Sequence, residues 1–123
     1  VSMLDKYVHE EKGATSLVHG IHTLSNIAAG HEQAKAIVMK YANRVVALLT
    51  NPLSAVRGAA LWVVVNLMWS DDEHAKRRAR CFQREGLQAG LEWLSNDEEA
   101  ELRNRAVALI SHLRELLGSG TDE

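Results

Sequence analysis

Two apolar stretches of this chain repeat one pattern at a spacing of forty residues. His22-Thr23-Leu24-Ser25-Asn26-Ile27-Ala28-Ala29 is answered by Trp62-Val63-Val64-Val65-Asn66-Leu67-Met68-Trp69. Each ends an apolar helical run with an asparagine, and each is followed by a short polar break. A period near forty is that of helical solenoids, whose units cannot bury their apolar faces alone and must stack. In such a chain function is sought first on an extended binding surface, not in a catalytic pocket.

The totals agree with one small domain. The 123 residues are 46% hydrophobic, too apolar for a disordered segment. The formal net charge of −2 gives no global pull toward nucleic acid or an anionic membrane. Cys81 is the single cysteine, so no disulfide can form within the chain. A reducing address, cytoplasmic and nuclear, is therefore expected. The longest unbroken apolar run, 59–65, is far short of a membrane span. No basic start followed by an apolar stretch marks a signal peptide. The opening Val1-Ser2-Met3 suggests a piece of a longer protein.

Helical spacing dominates the chain. Val56, Ala60, Leu61, Val64, Leu67 and Met68 recur at three- and four-residue steps. Val63-Val64-Val65 alone suggests a strand, but the flanking Ala59, Ala60 and Leu61 and the length of the window favour a helix. Asn51-Pro52 reads as a helix start, with the proline at the first helical position. Ser70-Asp71-Asp72-Glu73 forms a capping box, and Asn96-Asp97-Glu98-Glu99 a weaker one. Gly30 and Gly86 stand where helices should stop. The spacing predicts helices over 14–29, 32–40, 43–50, 52–69, 71–84, 87–94 and 97–117, with 1–11 as the second half of an earlier unit. The last six residues contain no apolar side chain. They give a domain over 1–117 and a flexible tail over 118–123.

A second alignment, at a spacing of forty-six, pairs Val56-Arg57 with Leu102-Arg103, Ala60 with Ala106, Val64 with Ile110 and Leu67 with Leu113. Asn66 then falls on His112, so the last unit lacks the asparagine. Terminal solenoid units are commonly atypical because their outer face meets water.

Three helices per unit, the junction Glu85-Gly86-Leu87-Gln88-Ala89-Gly90-Leu91, and the closing Asn26 and Asn66 resemble the armadillo-repeat family. The resemblance implies an all-α, right-handed α-solenoid of about two and a half units. More narrowly, Ser25-Asn26-Ile27-Ala28-Ala29-Gly30, the run around Lys35 to Met39, and the stretch from Val65 to Glu73 resemble the armadillo subunits of GID/CTLH-type ubiquitin ligases. This match continues through Arg84-Glu85-Gly86-Leu87 and covers nearly all of the chain from about Gly20.

It implies a protein-binding scaffold without catalysis, and the residues themselves lead us to expect no cofactor or metal and no nucleic-acid or membrane partner. The implied partners are the tail of a substrate receptor, lying in the concave groove, and the remaining repeats of the same superhelix. Third helices line that groove in armadillo proteins. Carried onto this chain, the groove residues are His22, Asn26, Trp62 and Asn66, with Arg105 and His112 closing the end.

These residue types suit an extended peptide. An asparagine carries both acceptor and donors and can satisfy peptide backbone whatever its sequence. A tryptophan one turn earlier lies on the same helix face and offers a platform for aliphatic stems or cations. Trp62 and Asn66 also have the Trp-x-x-x-Asn spacing of importin-alpha import adaptors. The other units depart from that ladder, with His22 and Ala108 in the tryptophan place, so the adaptor reading ranks second.

Plainer roles stand beside these. The asparagines can cap helices or bond neighbouring backbone. Trp62→Ala separates a core ring, costing ~3–5 kcal/mol, from a groove ring, costing about 0.5 kcal/mol. Trp69 and Trp93 are expected to pack between units. His19 and His22 have the spacing of two metal ligands but lack further ligands nearby. Cys81 lies between Arg80 and Arg84 with no histidine placed as its base, so a structural role is expected.

Lys76, Arg77, Arg78, Arg80 and Arg84 form the one basic cluster. They fall at the C-terminal side of a helix that opens on acids, as the helix dipole favours. No glycine-rich phosphate loop, catalytic triad or paired buried carboxylate can be read, which argues against an enzyme. An incomplete first unit should expose Leu4, Val8, Leu17 and Ile21 at its N-terminal end.

Overall fold

The computed structural model describes residues 14–30, 32–69 and 73–118, with side chains except at 14–17 and 28. Among the described residues there are seven helices and no strand: α1 (Ala14–Ala28), α2 (Glu32–Met39), α3 (Ala42–Leu48), α4 (Ser54–Met68), α5 (Ala75–Arg84), α6 (Leu87–Leu94) and α7 (Ala100–Gly118). The order is one long helix, then two shorter and one long, twice over. α1, α4 and α7 are the long third helices. α4 lies against α1, α3, α5 and α7, while α6 packs chiefly on α7.

The central position of α4 explains its composition. Nine of its fifteen residues are buried, among them Val56, Ala60, Val63, Val64 and Leu67, because neighbours cover most of its circumference. Val63-Val64-Val65 is helical for the same reason: tertiary packing outweighs a small intrinsic preference. α7 buries only one stripe, Leu102, Ala106, Leu109 and Leu113, at steps of four, three and four. The core continues through Phe82, Leu87 and Leu91 of the second unit and Val45, Leu48 and Leu49 of the first. Each such aliphatic or aromatic side chain contributes roughly 1.5–3 kcal/mol when fully buried.

Helix starts differ from the sequence reading in an informative way. α4 begins at Ser54, two residues after Pro52. The Asn51 side chain turns back to accept the Leu53 amide at 3.0 Å, which holds Leu53 extended at the cap position. Asp97 repeats that turn, accepting the Glu99 amide at 2.9 Å, so Asp97 and not Asn96 opens the last long helix. α5 begins at Ala75, and Ser70, Asp71 and Asp72 of the expected capping box lie outside the described residues.

Gly86 separates α5 from α6 at φ +97°, a left-handed conformation that side chains rarely adopt. Gly118 is the last residue of α7, and 119–123 of the expected tail lie outside the described residues.

Ile21 corrects another expectation. It is fully buried, as is Leu24 three residues on, because both join the core cluster that α4 centres. Leu4, Val8 and the side chain of Leu17 lie outside the described residues, as does the segment 1–11.

Three buried cations tie the layers together. Arg57 of α4 reaches Asp97 of the next unit through Nε at 2.8 Å and Nη2 at 3.2 Å. It also donates to the carbonyls of Asn51 at 2.9 Å and Pro52 at 3.1 Å. Arg78 donates to the Leu67 carbonyl at 3.0 Å and to Glu32 at 2.9 Å, linking α5 to α4 and α2. Lys35 donates to the Gly30 carbonyl, closing the turn between α1 and α2.

Candidate functional site

The long helices α1, α4 and α7 meet at a shared cleft of about 300 Å³. Val18 and His22 enter from α1, Ala55, Gly58 and Trp62 from α4, and Glu101, Leu102 and Arg105 from α7. Spacings of three and four place the α1 and α4 sets each on one helix face, as they do Leu102 and Arg105 of α7. Gly58 keeps the floor low: a Cβ there would reach ordinary contact distance, 3.4 Å, from Leu102. Three of the sequence-derived residues, His22, Trp62 and Arg105, thus line one opening.

Trp62 is 40% exposed. The Arg105 guanidinium lies over its ring, 4.2 Å from the centroid, and Glu101 accepts from Arg105 Nη2 at 3.0 Å. Such a cation–ring contact at a partly exposed site stabilises by about 0.5–1 kcal/mol. The platform therefore carries a cation from its own chain.

The other three residues have different surroundings. Asn66 donates through Nδ2 to the Ser25 carbonyl at 3.0 Å and to Ser25 Oγ at 2.9 Å. His112 Nε2 donates to the Met68 carbonyl at 2.9 Å, which requires the proton on that nitrogen. Its ring stacks on Trp69 at 4.3 Å and 14°. Asn66 and His112 occupy equivalent places, and each clasps the long helix before its own. The Asn26 side chain is exposed and makes no hydrogen bond to the described residues.

Trp69 and Trp93, expected between units, are 44% and 50% exposed. Each lies against a polar group: Trp69 stacks on His112, and Trp93 lies 5.8 Å from Arg57. A flat ring covered on one face by a polar side chain leaves its other face in water.

A second opening, about 420 Å³, is lined by Arg57, Trp93, Asn96, Asp97 and Glu98. Burial pushes the Asp97 carboxyl up, but the Glu99 amide and the charges of Arg57 and Arg103 outweigh it and hold the group below the ordinary value. Sequence reasoning did not find this pair. Its signal was present, since Asn51 and Asp97 align at the forty-six spacing, as do Arg57 and Arg103. Arg103 donates to the Asp97 carbonyl at 2.8 Å, as Arg57 does to that of Asn51.

The basic cluster is divided. Arg78 points inward, whereas Arg77, Arg80 and Arg84 are exposed. Among the described residues no group of three side chains is placed to hold a metal ion, and no helix is long and apolar enough to cross a membrane.

No protein-family model and no curated protein matches the chain. A solved structure does: a designed armadillo repeat protein in complex with the peptide (KR)4. Its TM-score is 0.77 at 19% identity, over 91% of this chain. The chain spans 47% of that protein's length. The fold is accordingly a right-handed α-solenoid of armadillo type. Armadillo solenoids are typically binding scaffolds and not catalysts.

Proposed function

We propose that this chain is a non-catalytic scaffold that holds an extended peptide across α1, α4 and α7. One observation carries the reading: His22, Trp62 and Arg105, from three successive long helices, line a single cleft. The similar designed protein was solved with a peptide, which supports the same use of the fold. In finer terms, the chain serves as the armadillo subunit of a GID/CTLH-type ubiquitin ligase in the cytoplasm and nucleus. Support for this is the resemblance of the segments around Asn26 and from Val65 to Glu73 to the C-terminal repeats of armadillo repeat-containing protein eight. The peptide is then the tail of a substrate receptor, and further repeats of the same protein are a second partner.

An import-type adaptor is the alternative. Glu99 and Glu101 on the cleft favour it, as does the (KR)4 peptide of the designed protein. Arg105 opposes it, because it covers the ring on which a peptide lysine would rest.

Titration with a receptor tail and with a lysine-rich peptide separates the two. Tail binding that is lost in Trp62→Ala supports the ligase scaffold. Preference for the lysine-rich peptide moves the chain to the adaptors, and binding of neither defeats the groove.

A further inference from the structure

We propose that the cleft between α2 and α5 is a second docking site, independent of the groove, for an acidic peptide segment of a partner protein carrying one apolar side chain. The cleft measures about 310 Å³ and shares no lining residue with the groove. Its apolar part comes from Ala36 and Met39 of α2. Its charge is one-sided: Arg77, Arg78 and Arg84 face it beside His74, with Glu32 as the one carboxylate among the described residues. Glu32 is already paired with the buried Arg78, at 2.9 Å. Arg77 and Arg84 are exposed and have no carboxylate partner among the described residues. Two guanidinium groups with no carboxylate partner among the described residues thus stand at the rim of an apolar depression, on a chain whose net charge is −2.

The geometry narrows the ligand. Arg77, Cys81 and Arg84 follow at steps of four and three, so they share one face of α5. Seven residues of helix place the two arginines about 10 Å apart along its axis. A polyproline-II segment has three residues per turn and rises about 3.1 Å per residue, so two carboxylates three residues apart share one face and match that distance. Guanidinium groups pair with carboxylates in a planar, two-bonded geometry. An apolar side chain between the acids would reach Met39. A nucleic-acid backbone supplies the charge but nothing for the apolar floor, and no Phe, Tyr or Trp ring lines the cleft for a base to stack on, His74 being its one ring among the described residues. A scaffold with one groove and one basic cleft can join two proteins.

Cys81, half-buried in this cleft and the chain's one cysteine, reports occupancy directly. The full chain is titrated with a capped peptide bearing two glutamates three residues apart and a leucine between them. Alkylation of Cys81 by uncharged iodoacetamide is followed at each concentration. Saturating peptide should slow alkylation at least fivefold, and raised salt should weaken the protection. Arg77→Glu with Arg84→Glu should abolish protection while leaving the thermal melt unchanged, since both side chains are exposed. Arg77→Gln with Arg84→Gln should weaken binding at least tenfold. Trp62→Ala should protect as the unaltered chain does, which separates this site from the groove. The proposal fails if the peptide leaves Cys81 reactivity unchanged, or if the charge-reversed variant is still protected. It fails equally if a leucine-free acidic peptide or single-stranded DNA protects as well as the designed peptide.

Discussion

At the scale of single residues, buried charge and half-covered rings set the measurable effects. Asp97 and Arg57 have side chains only 2% and 7% exposed, so removing one strands the other in a nearly dry setting. Asp97→Asn should cost about 3 kcal/mol in urea unfolding at neutral pH. The carboxyl of Asp97 is held below its ordinary 3.8, so its contribution is complete above that value. It is lost as the pH falls through the lower folded value. The stability gap between the unaltered chain and Asp97→Asn should therefore be constant from pH 7 to 5 and shrink on further acidification. A gap that widens in acid would contradict the pairing.

Trp62→Ala should cost about 1 kcal/mol, between the core and groove limits, because the ring loses Arg105 and part of its burial but no deep packing. Arg105→Ala should free the ring and strengthen binding of a lysine-rich peptide about threefold to tenfold, read by calorimetry.

At the scale of helices, local turns decide where elements begin and small residues decide how closely they pack. Asn51 and Asp97 each fold back on an amide two residues ahead, and each long helix starts three residues after its turn residue. A proline or an acidic run was visible in the sequence. Which side chain would take the amide was not, because neighbouring asparagine and aspartate compete for it with similar energies. Gly86 holds the left-handed corner between α5 and α6, so Gly86→Ala should lower stability by about 1–2 kcal/mol. Gly58→Ala, inside α4 with room for its methyl, should raise stability by about 0.5–1 kcal/mol. Thermal melts of the two variants should therefore move in opposite directions.

For the whole molecule, stacking makes the middle long helix the anchor. Neighbours surround α4, whereas α7 buries a single stripe and leaves Val107 exposed. Hydrogen exchange should accordingly be slowest in α4, and markedly faster in the last turns of α7. Equal protection of the two would mean that the units unfold as one block. The inter-unit bonds from Arg57 to Asp97, Asn66 to Ser25 and His112 to Met68 run between units and carry this hierarchy.

The sequence by itself determined the repeat, the helix order and the three long helices, because a forty-residue period and a 3.6-residue apolar rhythm are local properties of the chain. The resemblance to armadillo repeats also named His22, Trp62 and Arg105 as groove residues, although Ala108 and not Arg105 aligns with Trp62. Only the tertiary structure decided which polar side chains turn inward. Asn66 and His112 donate to the preceding helix, Arg57 and Arg78 are buried on carbonyls and carboxylates, and Trp69 and Trp93 stay half in water. The physical reason is that a buried donor must find an acceptor, and here that acceptor stands on another helix, up to forty-six residues away.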